Sequence, residues 1–101
     1  MTFDIHWVDR QNVVRSFYVT THLWMPIGRF IARNVVLPYQ EHEGLQYNEG
    51  VSFCPESLGN IARFLRAVIA SSDFETLSRE QRSVLTEFHN ICVKAVWVGI
   101  S

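Results

Sequence analysis

Phe3, Ile5 and Trp7 alternate with Asp4 and His6, the period of two expected of a strand with one buried face. The cluster Asp9-Arg10-Gln11-Asn12 has turn chemistry. Residues 13–20, rich in β-branched and aromatic side chains, then read as a second strand. Together the two strands predict an amino-terminal hairpin. Further on the period changes. Ile27, Phe30, Ile31 and Val35 predict a short helix over 26–36, with Pro26 in its first turn and Pro38 beyond its end. Leu58, Ile61, Ala62, Leu65, Val68 and Ile69 form the apolar stripe of a helix over 55–71. A second stripe, Val84, Leu85, Phe88, Ile91, Cys92 and Ala95, gives a helix over 79–95. Ser78 and Gln81 stand three apart as a capping box before it. Residues 93–100 satisfy two patterns: they continue the helix, or their valines and Trp97 add a strand to the hairpin sheet. Residues 37–53 follow neither period and read as an irregular segment, with room for a short strand at 45–47 or 51–53. The expected fold is one α+β domain spanning 1–101. In it the hairpin, joined by one or two more short strands, packs against two or three amphipathic helices.

Composition supports a folded chain: 48% of its 101 residues are hydrophobic and 19% charged. A chain of this length buries a core without disulfide or metal staples. Aromatics reach 13%, more than a small core easily hides, so some, notably Trp24, Phe74 and Trp97, are candidates to seal a contact between copies of the chain. The formal charge of −1 argues against general attraction to nucleic acid or to an anionic membrane. Met1-Thr2-Phe3-Asp4 lacks the basic start of a signal peptide, and the apolar runs are shorter than the ~20 residues of a membrane span. A cytoplasmic protein with reduced thiols is expected.

Chemistry is sparsely marked. Cys54, at the start of the 55–71 helix, is the sharpest catalytic candidate, because N–H groups at a helix amino terminus favour a thiolate. It would need His89 or His22 as a base, and no family signature surrounds it. His89 and Cys92 lie three apart on one helix, but a lone pair of this kind lacks the second short spacing of a structural zinc site. Cys92 therefore reads as core, and no metal or cofactor is assigned. Arg79 and Arg82 open the last helix without a basic face around them, so nucleic-acid binding is not expected.

The irregular segment stands out instead. Tyr39, Glu41, Glu43, Tyr47 and Glu49 combine rings that anchor interfaces with carboxylates that suit a basic partner. The leading expectation is a non-enzymatic protein-binding module, a small bacterial inhibitor of the immunity or antitoxin kind that neutralises a basic toxin domain. The alternatives are a small Cys/His-dependent enzyme and a homo-oligomeric accessory or structural protein.

Overall fold

A computed structural model describes residues 2–47 and 49–101. The chain is α+β, and its described residues form four strands in one antiparallel sheet and four α-helices. β1 (Thr2–Asp9) and β2 (Val14–Thr20) form the expected hairpin, with Ile5 paired to Phe17 and Trp7 to Arg15. Asp9 closes its connection: its carboxylate accepts from the N–H groups of Gln11 and Val13 at 2.9 and 3.0 Å. Asn12 takes the left-handed conformation that Asn tolerates, at φ 64°. β3 is Val51–Phe53 and β4 is Ala95–Ile100, giving the strand order β2-β1-β4-β3. The tail is thus a strand from Ala95 onward, and long-range pairing to β1, Ile5 with Ile100 and Trp7 with Val98, decides between its two local readings. A register shift after Val8, which leaves Val96 as the extra residue, marks a bulge where β4 leaves the preceding helix.

The helices lie on one face of the sheet. Ile5, Trp7, Val19, Phe53, Val98 and Ile100 point into the core. The alternate positions His6, Ser16, Tyr18 and Trp97 form the opposite face. α3 (Pro55–Ile69) and α4 (Arg79–Lys94) match the two expected helices within two residues. Pro55 occupies the first turn of α3, and the Ser78–Gln81 capping box forms in both directions at α4. A 3₁₀ segment, Ser72–Thr76, joins them. Phe88 of α4 meets Trp24 edge-on, with ring centroids 5.0 Å apart. Burying a ring such as Phe88 stabilises by about 1.5–3 kcal/mol.

Two expectations are corrected. The first helix, α1, runs Thr21–Asn34, so it starts five residues before Pro26, which lies inside it. β2 turns directly into α1 at Thr20. The N–H that proline lacks would have bonded the carbonyl of His22, in the exposed opening turn, where water can serve that carbonyl. An earlier start also brings Trp24 into the stripe with Ile27 and Ile31. At 1% exposure Trp24 is core and not a contact residue between copies. Secondly, most of the irregular segment is helix: α2 covers Tyr39–Tyr47. Residues 45–47 are therefore not a strand, whereas 51–53 are.

Candidate functional site

α2 is held from beneath by contacts that leave no apolar stripe in the sequence. Leu45 enters the core. Gly44 lies so close to β3 that a Cβ added to it would sit 2.5 Å from Cβ of Val51. Gly28 on α1 does the same from the other side, where an added Cβ would meet the carbonyl oxygen of Leu45 at 3.1 Å. Arg29 of α1 donates through Nε to the carbonyl of Gln46 at 3.2 Å, satisfying one of the free carbonyls of the last turn. Glu41 turns inward, 7% exposed, and its Oε2 accepts from the backbone N–H of Cys54 at 3.4 Å. That carboxylate ties α2 to the amino terminus of α3, whose dipole favours a negative charge. Its Oε1 is buried without a hydrogen-bond partner among the described residues.

The opposite side of the helix faces out. Tyr39, Glu43 and Tyr47 follow one another at intervals of four residues and so share a face. Tyr39 is 77% and Tyr47 61% exposed. The Tyr39 hydroxyl donates to Oε1 of Glu43 at 3.0 Å. This bond, with the nearby negative charge, raises the phenol above its usual titration range. Glu49, just beyond the helix, is exposed. The five residues singled out from the sequence thus divide: Tyr39, Glu43, Tyr47 and Glu49 face solvent, while Glu41 is buried and unavailable to a partner. Val36, 94% exposed, adds an apolar side chain just before the helix. Its sequence position hid it within the helix expected over 26–36.

Cys54 caps α3 and is exposed. Its Sγ lies 3.2 Å from Oγ of Ser57. Among the described residues none of its hydrogen-bond partners is a histidine. His89 contacts Asn90 at 3.2 Å, and His22 lies exposed in the first turn of α1. Cys92 is buried in the stripe of α4, and burial pushes its thiol up to about 12. Both thiols are free. No three His, Cys, Asp or Glu side chains among the described residues gather around a position for a metal ion. Arg82 is engaged by Glu75 at 3.3 Å. No helix among the described residues is long and apolar enough to cross a membrane.

No family model, no curated protein and no solved structure matches the chain.

Proposed function

We propose that the protein is a non-enzymatic protein-binding module, a small bacterial inhibitor of the immunity or antitoxin kind, that uses the outer face of α2 to occupy a basic site on its partner. One observation carries this reading: exposed Tyr39 and Tyr47, with half-buried Glu43 between them, form an outward stripe on a helix fastened from beneath by Gly44, Leu45, Arg29 and Glu41. A nine-residue helix is marginal alone, so its order comes from this docking. Preordered tyrosines lose little side-chain freedom on contact and supply apolar area with a polar tip. Glu43 and Glu49 give the face the charge that speeds and selects encounter with a basic surface.

The test is a paired capture from lysate of the source cells, with the unaltered protein and a Tyr39→Ala/Tyr47→Ala variant as baits. Both rings are exposed, so the variant keeps its fold and its thermal melt. A basic protein enriched on the unaltered bait and lost from the variant is the expected result. Equal recovery of every captured protein would remove α2 from the interface.

A further inference from the structure

The sheet has two edges, and they differ in how they are protected. β3 is three residues long, and α2 lies against it through the Gly44–Val51 contact. β2, at the other edge, has seven residues, no proline and one charged side chain, Arg15. A long edge strand with no proline, no bulge and a single charge is a template for further pairing.

The ladder fixes which backbone groups are free. Asp4 exchanges hydrogen bonds with Ser101 at 2.9 and 3.0 Å, so even-numbered residues of β1 bond towards β4 and odd-numbered ones towards β2. The bond from Asp9 N–H to the carbonyl of Val13, 3.1 Å, agrees. Pairing of Ile5 with Phe17 then turns the backbone of Arg15, Phe17 and Val19 to β1. Val14, Ser16 and Tyr18 aim both N–H and C=O outward, as does the N–H of Thr20. The carbonyl of Thr20, the N-cap, serves α1. On the helix side of this edge runs an open groove floored by Phe17, Val19, Leu23 and Val84 and rimmed by Arg79 and Glu80.

We propose that β2 is a self-association edge, at which two copies of the chain pair β2 with β2 antiparallel about a two-fold axis through Phe17. The occupant is a second copy because the edge complements itself. About that axis Ser16 of each strand exchanges hydrogen bonds with Tyr18 of the other, and the Thr20 N–H meets the Val14 carbonyl. All seven residues of the strand overlap, whereas an axis at Ser16 leaves Val19 and Thr20 overhanging. Arg15 of one copy, whose Nε donates to Asp9 of its own chain at 3.2 Å, falls opposite Val19 of the other, at the rim that carries Glu80. The two sheets become one of eight strands, twice the four of a single copy. α2 sits against β3 at the far edge, so both α2 faces stay open.

Sedimentation equilibrium of the full chain, unaltered and as Ser16→Pro, tests this. Proline at an outward N–H leaves the β1–β2 ladder intact and blocks pairing across the edge. The unaltered protein sediments as a dimer, and Ser16→Pro as a monomer with the same circular dichroism. Arg79→Glu tightens the dimer and Glu80→Arg loosens it. Cross-linking gives a second readout that does not depend on the proline variant folding. In a Cys54→Ala background, Phe17→Cys places thiols at the axis, where non-hydrogen-bonded partners have Cα atoms about 4.5 Å apart, within disulfide reach. Mild oxidation gives a covalent dimer with Phe17→Cys and none with Val14→Cys. A monomer at every concentration, a dimer indifferent to Ser16→Pro, or equal cross-linking at both positions would overturn the proposal.

Discussion

Gly44→Ala separates two forces of opposite sign in α2. By helix propensity alone the change stabilises, because glycine in a helix interior is about 1 kcal/mol worse than alanine. Gly44 has no positive φ, so no backbone strain enters. Packing acts the other way. The added methyl would stand 2.5 Å from Cβ of Val51 and 3.0 and 3.1 Å from its two γ-carbons. Cβ is fixed to the backbone of β3, so no rotamer change relieves the clash, and α2 must lift off the sheet edge. Overpacking of this kind costs typically 1–3 kcal/mol, which exceeds the propensity gain over most of its range. The expected net loss is up to about 2 kcal/mol, a fall in Tm of at most roughly 8–16 °C for a domain of this size. Urea denaturation of Gly44→Ala, Val51→Gly and the double variant forms the cycle. Val51→Gly removes the opposing Cβ, so the double variant should be less destabilised than the sum of the singles by roughly 1–2 kcal/mol. A stabilised Gly44→Ala, or strict additivity in the double variant, would refute the close approach that fixes α2 in place.

Other expectations follow from the thiols and from the open face of the sheet. Iodoacetamide should label Cys54 in the native protein and Cys92 only after unfolding, read by mass spectrometry of the two peptides; equal labelling would contradict the burial of Cys92. Burial raises the Cys92 thiol to about 12, above its unfolded value, so its contribution to stability is complete below about pH 8.5 and falls as pH rises towards 12. Between the unaltered protein and Cys92→Ala, the difference in unfolding free energy should shrink by about 2 kcal/mol from pH 8.5 to 10.5; a constant difference would show that the thiol is not desolvated. On the outer face of the sheet, a Cβ on Gly99 would lie 2.5 Å from Cη2 of Trp97 and 2.9 Å from Nε2 of His6. Gly99→Ala should therefore swing the Trp97 ring outward and increase acrylamide quenching, and the same change in a Trp97→Phe background should have no such effect. Unchanged quenching would place Trp97 elsewhere.

The hairpin, α3 and α4 are legible in the sequence because each pairs a clear period with local punctuation: Asp9–Asn12 at the turn, Pro55 at one helix and the Ser78–Gln81 box at the other. α2 is not legible, because the positions that dock it are two glycines, an arginine, a buried glutamate and one leucine. Its fit depends on β3 and α1, which no window of its own sequence contains. The same fact explains the division of the acidic residues. Glu41 and Glu43 are two residues apart, about 200° around a helix, so one goes in where the other goes out. Without the helix, all three carboxylates read alike. Pro26 misleads for a different reason. Proline marks first turns often enough to suggest a start there, and the real start at Thr20–Thr21 carries no side-chain cap. The end of α4 is set by pairing between β1 and β4, a contact across the length of the chain.

The most direct test of α2 as the binding face is the salt dependence of affinity for the protein captured by the unaltered bait. Isothermal titration at low and high salt would compare the unaltered chain with Glu43→Gln/Glu49→Gln and with Tyr39→Ala/Tyr47→Ala. The carboxylate variant should bind about tenfold more weakly at low salt, lose most of that difference at high salt, and show a flatter salt slope. The tyrosine variant should lose about tenfold or more at both salt concentrations, as expected of apolar anchors. Affinities and slopes identical for all three proteins would contradict the assignment.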